Sequence, residues 1–231
     1  MGPFLNPLEQ NNTDEKSVVM KVKDSDYAYL FEDVWGPNSL DWENDVDKTY
    51  ERIVNSIAAF ERSSEVNPFS SKFDMFWRGA KSAGKDVTAI DELNWEDYKN
   101  LELDDNEVKG LMLFVTKGKC ANCHVLEESS DGKPPVFTDF TYDNIGVPRN
   151  PENSFYSMPE EWNSDGEAWA DKGLGGFLEK TKEYAPYAKT NYGKHKVPTL
   201  RNVDLRPGED FTKAYMHNGY FKSLKDLVRF Y

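Results

Sequence analysis

The chain has 231 residues, 38% of them hydrophobic and 14% aromatic, with a formal charge of −13. That length allows one large domain or two small ones, with enough apolar material for a core. The acidic balance argues against nucleic acid or an anionic membrane as a partner and for basic protein surfaces, and no apolar run is long enough to cross a bilayer.

The opening Met1-Gly2-Pro3-Phe4-Leu5-Asn6-Pro7 has neither a positive n-region nor an apolar h-region, so it does not read as a secretory signal. From Val18 to Trp35 the apolar positions Val18, Val19, Val22, Tyr27, Leu30, Phe31 and Val34 suit one or two amphipathic helices closed by Gly36-Pro37. Asp47 to Arg62 is the clearest helix, with Tyr50, Ile53, Val54, Ile57, Ala58 and Phe60 as its apolar stripe. Asn67-Pro68 ends that segment. Phe69 to Trp77 is rich in aromatics and reads first as packing between helical layers; Trp77 or Trp95 as an electron relay is the lesser alternative. Asp104 to Lys117 forms a further helix. Asp104 or Asp105 caps it, Glu107 stands in its first turn, and Leu111, Phe114 and Val115 form the buried face.

That helix runs straight into Cys120-Ala121-Asn122-Cys123-His124, which is C-x-x-C-H, the attachment site of a c-type haem. The two thiols add across the porphyrin vinyl groups, and the adjacent imidazole falls under the iron. These are the chain's two cysteines. A structural zinc site takes four N/S ligands, often from two such pairs, and no second pair exists. A thioredoxin-like redox pair does not need the trailing His, and no βαβ pattern surrounds it.

From Glu127 to Lys196 the sequence is rich in Gly, Pro, Asn and Ser and reads as an irregular wrapping region with one or two short helices. Ser223 to Tyr231 is the last helix, with Ser223 as N-cap and Asp226 three residues on. No internal repeat or convincing strand alternation is present, so the expected class is mainly α. Leu227 to Tyr231 stops inside an apolar helical pattern, and both chain ends read as cut. For the sixth iron position the residues leave open His195, His217, Met158, Met216 and Tyr231; Met or a second His closes the site for electron transfer, whereas an open position permits peroxide chemistry.

Several blocks in order resemble the bacterial dihaem cytochrome c peroxidase family, which includes the MauG-type enzymes. They are Gly2 to Glu9, Ile57 to Arg62, Gly110 to Phe114, Phe137 to Phe140, Lys196-Val197-Pro198-Thr199-Leu200-Arg201-Asn202-Val203, and Ala214-Tyr215-Met216-His217-Asn218-Gly219. The resemblance implies a cytochrome c-like haem domain over residues 101–231. It is preceded, over residues 1–100, by a helical segment like the latter part of the family's first haem domain, without that domain's haem motif. It implies covalent haem c held by Cys120, Cys123 and His124, with Tyr231 matching the distal ligand of MauG-type members. Arg201 is implied as a propionate partner and His217 as a residue beside the haem. Carbonyls at Thr212 and Ala214 match calcium ligands between the family's domains, while His195 matches no ligand position.

The activity so implied is relay of electrons by this haem to a peroxide-reducing haem in a fuller assembly; the alternative is a stand-alone monohaem carrier. Implied partners are a redox protein or a second haem domain, with a homodimer or a multi-subunit cytochrome assembly also open. The implied location is periplasmic or extracellular, where covalent haem is installed.

Overall fold

A computed structural model of the chain describes residues 2–205, 208, 211 and 213–231. It divides into two compact units, residues 1–69 and 70–231. The stretch 70–100 belongs to the second of these, although the sequence division was drawn at residue 100. Compactness is a different criterion from descent. Residues 70–100 fall with the haem-motif segment because their aromatic side chains share its core.

The first unit holds α1 (Gly2–Leu5), α2 (Glu15–Lys23), α3 (Ala28–Trp35) and α4 (Val46–Glu61). The expected apolar run over Val18–Trp35 is thus two helices. Asp14 starts α2 by accepting the Ser17 amide hydrogen at 2.7 Å, and Asp45 caps α4 in the same way through Lys48. Each cap satisfies a donor that the first helical turn leaves without a partner. Val18 and Val19 pack with Phe31, Leu40, Tyr50 and Ile53. Trp35 donates from Nε1 to Ser56 Oγ at 2.8 Å, giving its buried polar edge an acceptor.

The second unit begins with α5 (Lys72–Ser82), capped reciprocally by Ser71 and Asp74. Short 3₁₀ turns at Val87–Ala89 and Trp95–Tyr98 lead to α6 (Asp105–Val115). Asp104 caps α6 through the amides of Asn106 and Glu107, and Glu107 reaches back to the Asp104 amide, a complete capping box. Phe76, Trp77, Ala80, Val87, Ile90 and Tyr98 form one core with Val108, Leu111, Met112 and Leu126. The aromatic stretch therefore packs helix on helix.

Beyond the haem motif come α7 (Gly173–Leu178), α8 (Ala185–Ala188) and α9 (Leu224–Phe230), separated by turns. One feature departs from the strand-free expectation. Tyr142–Asp143 (β1) pairs antiparallel with His195–Lys196 (β2), with Tyr142 opposite Lys196 and Asp143 opposite His195. Two residues per strand are too few to show an alternation in the sequence. The class is mainly α, and among the described residues no helix is long and apolar enough to cross a membrane.

Candidate haem site

The site starts where α6 ends. Gly118 donates its amide hydrogen to Leu113 O at 2.7 Å, and Lys119 then turns the chain at φ 52°. A Cβ on Gly118 would stand 2.9 Å from Leu113 O and 3.2 Å from Cys120 Sγ, so glycine is what lets the chain double back so tightly. Cys120–Asn122 form one 3₁₀ turn, and His124 closes it by donating its backbone amide to Cys120 O at 2.9 Å. Both cysteines are free thiols, half-buried. Burial pushes both above the ordinary thiol value, and nearby Asp143 and Asp139 add to the effect at Cys123.

His124 Nδ1 lies 2.8 Å from Phe137 O. A carbonyl can only accept, so Nδ1 carries the hydrogen and Nε2 is left with its lone pair free for a metal. That arrangement is how a metal-bound imidazole is normally oriented from behind. Phe137 itself sits at φ 57°, a left-handed conformation rare for a non-glycine residue. It persists because its neighbours are tied on several sides. Thr138 Oγ1 donates to Val197 O at 2.6 Å, and Thr199 Oγ1 donates to Val136 O at 2.6 Å. Arg201 Nε donates to Pro135 O at 2.9 Å. The block Val197–Arg201 thus pins the segment that holds the His124 ring.

Arg201 does more than that. Its Nη1 lies 2.8 Å from the carboxylate of Asp74, which is 1% exposed, and its guanidinium lies over the rings of Phe73 and Phe137. The Asp74 that caps α5 is therefore also the counter-ion of the pinning arginine. Sequence reading missed Asp74, because its partner lies 127 residues away and no local pattern marks the pair.

The remaining candidates separate. Tyr231, at the end of α9, exposes 69% of its surface. Partial burial nonetheless raises its phenol above the ordinary value, and Cys120 and Cys123 push the same way. His195 and His217 are stacked on each other, ring centroids 3.6 Å apart and planes within 9°. Burial lowers the His217 pKa, as does neighbouring His195, while Asp171 acts in the opposite sense. Met216 opens the turn that carries His217, at φ 68°, and Met158 follows the 3₁₀ turn Ser154–Ser157. Ala214 is exposed, whereas Thr212 lies outside the described residues.

Two thiols one turn apart and an imidazole with its metal-facing nitrogen free form a donor set that fits a covalent haem with the iron on His124. For calcium the described residues contribute one matching carbonyl, that of Ala214, against the about six to eight oxygens the ion takes. No role is derived for it.

Comparison with known proteins agrees with this chemistry. A family model described as di-haem cytochrome c peroxidase matches residues 1–82, upstream of the haem motif. The methylamine utilization protein MauG of Paracoccus denitrificans is 30% identical over 231 residues, covering 99% of this chain and 49% of that protein. Cytochrome-c peroxidase IdrP1 of a Pseudomonas species is 25% identical over 185 residues, covering 76% of this chain and 39% of its own length. The diheme peroxidase BthA from Burkholderia thailandensis superposes with a TM-score of 0.66 at 27% identity, over 100% of this chain and 47% of that one. The chain spans about half the length of these relatives. The likeness runs through both compact units and takes in the haem motif, and the chain belongs to the di-haem cytochrome c peroxidase/MauG family.

Proposed function

We propose that this chain carries one covalent haem c and relays electrons through it to a second, peroxide-reducing haem in the complete protein. The observation that carries the reading is the His124 Nδ1 contact with Phe137 O at 2.8 Å, beside the half-buried thiols of Cys120 and Cys123. When bound, the haem supplies one-electron chemistry at its iron; everything else falls to the protein. Cys120 and Cys123 would anchor the ring through thioethers, and His124 would offer Nε2 to the iron while Phe137 O holds the Nδ1 proton. Tyr231 would be the second iron ligand in this reading, on the strength of its match to the ligand position of MauG-type members. With His124 and Tyr231 both holding the iron, the haem would supply electron relay rather than peroxide cleavage. Arg201 acts as a positioning residue through the Pro135–Phe137 segment, and also as the candidate propionate partner, with His217 a candidate beside the haem. A periplasmic or extracellular location follows from the need to install the thioethers there.

The test counts haems and then asks about peroxide. Pyridine haemochrome analysis with intact mass is expected to give one haem per chain, lost when Cys120 and Cys123 are both changed to Ala. In the complete protein, peroxide is expected to alter the haem spectrum rapidly. One haem without any peroxide response in the complete protein would leave a simple electron carrier and sink the peroxidase assignment.

A further inference from the structure

Asp171, His195 and His217 meet on one spot, and none of them is needed as a ligand by the proposed haem. One carboxylate oxygen and one nitrogen from each imidazole all lie within 4.8 Å of one another. Three separate stretches deliver them, and each is fixed by backbone bonds. Asp171 ends the loop before α7, and its carboxylate accepts the Gly173 amide hydrogen at 2.8 Å. That loop is latched to β2 on both sides: Leu174 donates to Lys194 O at 2.8 Å, and Gly193 donates to Lys172 O at 2.9 Å. Gly173 sits at φ +52°, where a Cβ would run into the Lys194 carbonyl and come within 3.2 Å of the His195 ring. Only glycine lets the Asp171 loop approach β2 so closely.

His195 opens β2, opposite Asp143. His217 stands on the turn closed by the Tyr215–Phe221 bridge. That turn is anchored by Asn218, whose side chain donates to Pro148 O at 2.7 Å and whose carbonyl accepts from Asn150 at 2.9 Å. Position is therefore set by backbone, while the three side chains remain partly open to solvent.

We propose that Asp171, His195 and His217 bind a divalent d-block cation of the zinc or copper class, through two imidazole nitrogens and one carboxylate oxygen, with water completing the shell. Two imidazoles and a carboxylate are a common ligand set for such ions and a poor one for calcium or magnesium, which take oxygen alone. Ligand atoms about 2.0–2.2 Å from a tetrahedral zinc stand roughly 3.4 Å apart. The present spread is up to 4.8 Å, so binding requires side-chain rotation that splays the stacked rings and converges their lone pairs. The ion would tie the α7 loop, β2 and the 215–221 turn together, and β2 leads directly into the Val197–Arg201 block behind His124. Asp171 and His195 have no part in the haem reading, whereas His217 is also the candidate beside the haem.

The chain's three histidines are His124, His195 and His217, so a tag-free protein offers no other imidazole pair. Zinc ions titrated calorimetrically into the haem-loaded, chelator-washed protein are expected to bind at one per chain. Loss of even an outer-shell partner costs about ten- to a hundredfold in metal affinity, so His195→Phe, His217→Phe and Asp171→Asn should each weaken binding at least that much. His195→Phe and Asp171→Asn are first checked for an unchanged haem spectrum. Copper(II) on the unmodified protein gives an answer that needs no variant: its paramagnetic resonance spectrum should show coupling to two imidazole nitrogens. Oxygen-only coordination of copper, or zinc affinity unchanged in His195→Phe, would overturn the proposal.

Discussion

At the scale of single residues, two side chains carry most of what can be measured at the haem. Tyr231 has its phenol pushed up by burial, so near neutrality it holds its proton until iron displaces it. Coordination through phenolate releases that proton, so the bond strengthens as pH rises and is lost as pH falls. The ferric spectrum of the wild type should therefore change on acidification, and Tyr231→Phe should differ from it at neutral pH and show no such transition. An identical spectrum in the variant would eliminate Tyr231 as a ligand. Arg201 acts from further back. Removing it leaves Asp74 as an uncompensated buried charge, which typically costs roughly 3–5 kcal/mol. Arg201→Met should lower stability by that order in denaturant titrations, and Arg201→Met with Asp74→Asn should recover part of the loss. A purely structural role would stop there. Loosening the Phe137 carbonyl also weakens the hydrogen bond on His124, making the imidazole a poorer electron donor to the iron, so the haem potential should rise.

At the scale of elements, α6 delivers the haem motif, and its start depends on the reciprocal cap of Asp104 and Glu107. The Glu107 amide holds the Asp104 carboxyl below its ordinary range, and the Lys72 ammonium does the same for Glu107. Depressed pKa values mean that this contribution is present above the ordinary carboxylate range and disappears as pH falls through the lowered values. Asp104→Ala should lower the melting temperature by a few degrees near neutrality, and the difference from wild type should shrink as pH falls through the lowered carboxylate values. A constant difference across that range would show that the loss is not one of carboxylate charge. This cap was legible in the sequence because all its parts lie within four residues. The caps at Asp14 and Ser71 are equally local, yet the apolar pattern alone places no helix start at either. The β1–β2 pair was not legible at all, because its partners lie more than fifty residues apart.

At the scale of the whole molecule, the chain forms two units, each with its own apolar core. Phe76 is wholly buried in the second. Truncating a core Phe to Ala typically costs about 3–5 kcal/mol. Phe76→Ala should speed amide hydrogen exchange through residues 72–126 while leaving exchange in residues 15–61 unchanged. Equal acceleration in both would show that the two units unfold as one. Residues 70–100 belong with the second unit because Phe76, Trp77, Ile90 and Tyr98 have their partners on α6. Sequence periodicity could mark those side chains as buried, but not against what.

The sequence by itself determined the helical class, the haem motif and the cap of α6, since each is written in residues a few positions apart. It also held the family likeness, because six blocks in order survive without any knowledge of contacts. Only the tertiary structure decided what stands behind His124: the Phe137 carbonyl, the Val197–Arg201 block that pins it, and Asp74 beneath Arg201. The same is true of the meeting of Asp171, His195 and His217. Those groups come together through loops that carry no periodic signal, and the conformation of each loop is set by hydrogen bonds to distant backbone rather than by its own residues.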